Sequence, residues 1–138
     1  MTLPEAQTII THLDALLVQG TSWAARGDHP ASGLSCYGLV RYVYRLAGIC
    51  LPDTPESAEK YFVAVQDRPQ AFDVLCVDFT PFSLQRHLGV LLEPPRGYHC
   101  AQATQGLARF SLLDGVWRRL KRRSFRHLLL VQESTRLC

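Results

Sequence analysis

Ser35-Cys36-Tyr37-Gly38-Leu39-Val40-Arg41-Tyr42-Val43-Tyr44-Arg45-Leu46-Ala47-Gly48 is the stretch on which the fold turns. Its apolar positions Cys36, Leu39, Val40, Val43 and Ala47 recur at i, i+3, i+4, i+7 and i+11, the stripe of a half-buried helix. Ser35 suits the N-cap and Gly48 suits a left-handed stop. Cys36 therefore falls in the first turn. There the unpaired N–H groups and the positive end of the helix dipole favour a thiolate over a thiol. A contrary expectation is also physical, because a free cysteine commonly packs as a small hydrophobe. A base placed against the sulfur would decide between them.

Upstream, Thr2-Leu3-Pro4-Glu5 reads as a helix start, with Thr2 as N-cap, Pro4 in the first turn and Glu5 closing a capping box. Ile9, Ile10, Leu13, Leu16 and Leu17 carry the apolar face, His12 lies beside it, and Gly20 stops the helix. Residues 20–34 are rich in Gly, Ser, Ala and Pro and read as an irregular loop. Trp23 is its one bulky side chain, suited either to anchoring the loop on the core or to walling a cleft.

Downstream, Ile49-Cys50-Leu51-Pro52 leaves the helix extended, and Thr54-Pro55-Glu56-Ser57 opens a short helix through about Val65. Period-two apolar runs then predict strands at Phe72–Phe79, His87–Leu92, Tyr98–Ala103 and Leu107–Leu112, with a last one at Phe125–Gln132. Pro94-Pro95-Arg96-Gly97 and Gln105-Gly106 supply turns. Helices first and adjacent strands afterwards argue an α+β fold, the N-terminal helices packed on a largely antiparallel sheet of five or six strands.

The 138 residues, 47% hydrophobic and 20% charged, fit one globular domain spanning 1–138. A net charge of +3 does not itself imply nucleic acid, and none is expected. No run of 18 apolar residues exists to span a membrane. The N-terminus lacks the basic segment and apolar core of a signal peptide. Five cysteines, odd in number and without CxxC spacing, suit reduced thiols; no zinc or other metal site and no cofactor is expected. Cys50, Cys76 and Cys100 read as packing residues, and His29 and His127 as peripheral.

A cysteine at a helix start facing a sheet histidine is the papain-like arrangement. His87 opens one predicted strand and His99 lies twelve residues on, across a hairpin-like turn that can bring the two rings together. His87 is then the candidate base for Cys36. His99 is the candidate orienter that fixes its tautomer.

These residues resemble the NlpC-like papain-fold peptidases, whose nucleophile segment reads roughly D-C-S-G-L-V-x-Y-V-Y-x-x-x-G-I-x-L-P. Here Ser35–Tyr44 and then Gly48-Ile49-Cys50-Leu51-Pro52 match it. That family continues with G-D and an apolar strand, H-V-G-I-Y-L, a turn, h-H-A and G-V-x-I. Phe72-Asp73-Val74-Leu75, His87–Leu92, Tyr98-His99 and Gly106–Arg109 correspond, so the resemblance covers about residues 20–115.

The resemblance implies Cys36 as nucleophile, His87 as general base, His99 as orienting member, and the Cys36 N–H in an oxyanion hole. It implies a peptidoglycan stem peptide as substrate, cut between D-glutamate and a diamino acid through a thioester, with water as final acceptor. The chain departs from the pattern at three places beside the sulfur. Ser35 replaces the family's Asp, Tyr37 replaces its Ser, and Trp23 stands where it has a cleft-lining tyrosine that recognises the substrate's free amine. Trp23, Ser35 and Tyr37 are therefore the candidate substrate-binding residues.

Two other classes fit the same residues: an acyltransferase or deamidase on this fold, and an inactive phage-tail or secretion-system module that keeps the fold. Without a signal peptide, a wall hydrolase would be made in the cytoplasm and delivered by a phage tail, host lysis or an injection system. A delivery or immunity protein would then be a further partner. Arg118, Arg119, Lys121, Arg122, Arg123 and Arg126 form a basic run beside Trp117, read as a solvated turn or as a patch for an anionic wall polymer or acidic partner.

Overall fold

The computed structural model describes residues 5–78 and 86–131. Helix α1 (Ala6–Gln19) begins with Glu5 at the N-cap, and that side chain makes no capping hydrogen bond. The anticipated cap residues Thr2 and Pro4 lie outside the described residues. At the other end Gly20 adopts φ 75° and closes the helix in the left-handed conformation. Residues 20–34 are more ordered than their composition suggests. They carry a two-residue antiparallel pair, β1 (Asp28–His29) with β2 (Gly33–Leu34), and Trp23 bridges Leu34.

Helix α2 (Cys36–Leu46) is the segment anticipated from the apolar stripe. Ser35 Oγ accepts the Gly38 N–H at 2.9 Å and donates to the Gly27 carbonyl at 3.2 Å, so one hydroxyl caps the helix and ties down the preceding loop. A side chain at Gly38 would collide with that same carbonyl, which is why the helix start tolerates no Cβ there. Ala47 is the C-cap, and Gly48 follows at φ 86°.

Helix α3 (Pro55–Ala58) is capped by Thr54, whose side chain accepts the Ser57 N–H. The expected continuation to Val65 does not occur. After a 3-10 turn at Glu59–Tyr61, residues Phe62–Val65 form strand β3. Phe62, Val63 and Val65 are β-formers, and their partner strand comes from the far end of the chain, which local periodicity cannot reveal.

Strands β4 (Val74–Asp78), β5 (Arg86–Glu93), β6 (Arg96–Ala101) and β7 (Gly106–Ser111) follow, then the short helix α4 (Gly115–Arg119) and β8 (Arg122–His127). The last strand starts earlier than the apolar run implied and ends at His127, with 128–131 helical. Six strands make one antiparallel sheet in the order β3-β8-β4-β5-β6-β7. The fold is α+β, as expected.

The sheet has two buried faces. Ile9, Leu13 and Leu16 of α1 and Leu39, Val40 and Val43 of α2 pack on one, against Val74, Val90, Leu92, Tyr98 and Cys100. Leu75, Val77, Leu91, Phe110, Leu112 and Trp117 form a smaller cluster on the other. The alternation is visible in β5, where Leu88, Val90 and Leu92 pack with the helix-side core while Leu91 belongs to the second cluster.

Three expectations about polar and thiol residues change. Arg126 leaves the basic run: it is 5% exposed and bonded to Asp73 and Asp67. His127 is not peripheral but buried among Tyr44, Tyr61 and Phe62, its Nδ1 accepting the Leu129 N–H, and burial lowers its pKa. Cys50 is exposed, whereas Cys100 is fully buried. Arg118, Arg119, Lys121, Arg122 and Arg123 stay in solvent, as a basic run does by default.

Candidate active site

Cys36 occupies the first residue of α2 and is half-buried. The backbone N–H groups of Leu88, Tyr37 and Cys36 itself act on its sulfur, each favouring the thiolate. The Leu88 contact locates the thiol. In β5 the N–H of Leu91 turns to β4, where it bonds the Asp73 carbonyl, so Leu88, three residues away, turns its N–H to the β6 side. There the β5–β6 pairing ends at Gly89↔His99, so Leu88 lies one residue past the last rung. The sulfur thus meets the sheet where β5 and β6 part.

His87 and His99 meet at the same end of those strands. Their rings are joined by His87 Nε2 and His99 Nδ1 at 2.9 Å, with centroids 5.1 Å apart and nearly perpendicular. Both project to the sheet face of the second cluster. Trp117 lies 5.0 Å from the His99 ring and 6.3 Å from the His87 ring, and stacks on Phe110 at 3.9 Å. Phe110 in turn meets His99 edge-on. The cysteine is therefore delivered from the helix side of the sheet and the two imidazoles from the other, both at the parting of β5 and β6.

Nothing in the sequence pattern announced Trp117 and Phe110 as neighbours of the histidines. The available signal was Gly89, a glycine inside a strand, which marks a close approach. A Cβ at Gly89 would lie 2.9 Å from Phe110 and 3.4 Å from Trp117.

The other expected site residues are engaged within the fold. Ser35 is spent on the cap and the Gly27 carbonyl. Tyr37 donates its hydroxyl to the Pro52 carbonyl at 2.5 Å, linking the start of α2 to the segment that follows it. Trp23 is half-buried against the helix-side core. Cys100, one strand over, donates to the Leu34 carbonyl at 3.1 Å. Among the described residues no group of three His, Cys, Asp or Glu side chains could hold a metal ion.

Electrostatically the site is a neutral one. Burial pushes the Cys36 thiol above its ordinary value, against the pull of the three N–H groups. Burial lowers His87 to about 4, with His99 adding to it, and burial alone lowers His99 to about 4. Burial thus opposes the thiolate that the helix terminus favours. A helix dipole contributes about 0.3–1 kcal/mol, whereas desolvation of a buried group shifts its pKa by up to several units. These directions favour a neutral thiol and neutral imidazoles near pH 7.

This gives a direct test. Alkylation of Cys36 by iodoacetamide, followed by peptide mass spectrometry to separate it from exposed Cys50, should accelerate steadily on the alkaline side. It should show no fast plateau between about pH 5 and 8, because only a thiolate reacts. A plateau there would reveal an ion pair and refute the neutral assignment.

With fold and site described, the class is defined: this chain has an NlpC/P60-like fold. It superimposes on an NlpC/P60 family protein from Bacillus cereus with a TM-score of 0.70 at 21% identity, over 92% of this chain and 41% of that one. A Staphylococcus aureus protein described as similar to a lipoprotein of the NLP/P60 family gives 0.64 at 23%, over 88% and 42%. The NlpC/p60 domain of the peptidoglycan hydrolase SagA gives 0.62 at 21%, over 87% and 97%. The chain thus spans about two fifths of the first two structures and nearly all of the third. No family model and no curated protein matches the sequence. No helix among the described residues is long and apolar enough to cross a membrane.

Proposed function

We propose that this protein is a thiol hydrolase of bacterial peptidoglycan, cutting the amide between D-glutamate and a diamino acid in stem peptides. The observation that carries the reading is the position at one sheet end of the Cys36 sulfur, beside the Leu88 N–H, and of the bonded His87–His99 pair. The likeness to peptidoglycan hydrolase structures supports the substrate class.

For His87 to act as a base through Nδ1, its Nε2–H must donate to His99 Nδ1, which fixes His99 as the Nε2–H tautomer. His87 Nδ1 then takes the Cys36 proton as the sulfur attacks the amide carbonyl. The backbone N–H of Cys36 stabilises the oxyanion. The imidazolium returns its proton to the departing amine, leaving a thioester. Water, deprotonated by His87, cleaves that thioester and restores the thiol.

A neutral imidazole can accept the thiol proton, so proton transfer accompanies attack. Trp23 acts as the cleft wall on the amine side of the substrate, and Ser35 and Tyr37 shape the cleft by holding its backbone walls. Delivery to the wall, by whatever carrier, belongs to the same proposal.

Purified protein incubated with a defined stem-peptide muropeptide should yield two fragments by liquid chromatography and mass spectrometry, split at the D-glutamyl bond with one water added. Transfer of the acyl group to an amine acceptor instead of water would identify an acyltransferase, and release of ammonia a deamidase. Intact muropeptide after prolonged incubation would overturn the enzymatic reading in favour of an inactive module.

A further inference from the structure

The stretch from Leu113 to Arg123 takes no direct part in the chemistry, yet it carries an unusual surface. Leu113 is 73% exposed and Val116 65% exposed. Beside them Arg118, Arg119, Lys121 and Arg122 stand in solvent, and Asp114 is the single acid in the stretch. Trp117 is turned the other way and buried, resting on His99 and Phe110. Arg122 donates to the Trp117 carbonyl at 2.8 Å, which folds the start of β8 back against α4 and gathers its cation with those of the helix. Arg123 alternates to the opposite sheet face and does not contribute.

We propose that this basic, apolar-tipped surface docks the protein on an anionic phospholipid bilayer. Four cations alone would suit any polyanion; the two apolar side chains make the distinction. Leu113 and Val116 leave most of their surface in water, and they stand three residues apart in the stretch that carries the charge. Such side chains gain free energy by entering the boundary between headgroups and acyl chains, while arginine and lysine heads remain at phosphate level. Val18 is a single exposed apolar side chain on α1 and needs no explanation. The proposal does not depend on hydrolysis. It does place the histidine pair, through Trp117, on the inner side of the docking element.

The test is co-sedimentation of the full chain with vesicles of phosphatidylglycerol and phosphatidylcholine in equal parts, against vesicles of phosphatidylcholine alone. Binding is expected only to the anionic vesicles, and it should weaken as salt rises. Arg119→Gln and Lys121→Gln should each lower the affinity about fivefold. The double variant Leu113→Ser/Val116→Ser should lower it by at least as much at the same charge. Far-ultraviolet circular dichroism confirms that each variant is folded, since all four positions are exposed. Absence of binding at about 0.05 M salt would overturn the proposal. So would full retention of binding in the apolar double variant, because that result assigns the surface to a soluble polyanion. No readout involves peptidoglycan, so failure here and failure of the hydrolase reading are separable.

Discussion

Alanine at position 36 or at position 87 is expected to lower turnover of a stem-peptide substrate by about 10⁶-fold, and alanine at position 99 by about 10⁴-fold. The double variant Cys36→Ala/His87→Ala should be no worse than either single one. The ordering follows from the contacts. In the proposed mechanism Cys36 supplies the bond-forming atom and His87 its proton path, so removing either abolishes the same step. His99 touches the reaction through the 2.9 Å bond to His87 Nε2, which selects the tautomer and supports the imidazolium. His99→Asn, whose amide oxygen can accept the same proton, should recover part of the loss, and His99→Leu should not. Circular dichroism and denaturant midpoints must be matched across the series, because both rings are buried against Trp117. Losses that multiply in the double variant would mean that the two residues act in separate steps, and the shared-proton mechanism would fall.

The start of α2 was legible in the sequence because its determinants are local. Ser35 caps, Cys36 follows, and the apolar stripe fixes which face is buried, all within fourteen residues. The twelve-residue step from His87 to His99 was likewise readable, because a hairpin register brings side chains of the same parity to one face. What could not be read is decided by contacts distant in the chain. Strand β3 exists because β8 pairs with it, and a four-residue apolar segment after a helix start carries no sign of that partner. The ionisation of Cys36 depends on how deeply the sheet buries it, which no spacing records. Arg126 looked like part of a basic surface and His127 like a peripheral residue, and both sit instead in β8, between β3 and β4. Phe72 adds a case of a different kind. Its φ of 73° lies in the left-handed region where the NlpC-like pattern has glycine. The bonds from Phe72 N–H to Leu91 O and from Tyr44 Oη–H to Phe72 O, both 2.6 Å, hold it against a strain of about 1–2 kcal/mol.

Immediately after that strained residue lies the second large expected effect. Arg126→Met is expected to destabilise the fold by about 3–5 kcal/mol, while Asp67→Asn changes it by less than about 1 kcal/mol. The difference rests on burial. Asp73 is fully buried; its Oδ1 accepts Arg126 Nε at 2.8 Å, and its Oδ2 accepts Arg126 Nη2 at 3.0 Å and the Gln70 N–H at 2.9 Å. Removing the guanidinium leaves a carboxylate in the interior with one neutral donor. Asp67 bonds the same guanidinium at 3.0 Å but lies in solvent, and Arg126 holds its carboxyl below the usual carboxylate range. Its loss leaves no buried charge unpaired. For a domain whose total stability is about 5–15 kcal/mol, the first change would leave a substantial unfolded fraction near the denaturant-free limit. Urea unfolding followed by circular dichroism measures both. In a double-mutant cycle, Asp73→Asn should cost less in the Arg126→Met background than alone, since there it removes the orphaned buried charge. Equal costs for Arg126→Met and Asp67→Asn would refute the assignment of Asp73 as the buried partner that matters. The consequence extends to the catalytic end of the sheet: the Asp73 carbonyl accepts the Leu91 N–H and so fixes the register of β4 with β5. That register carries His87 to its place beside His99, four residues before Leu91 on the same face.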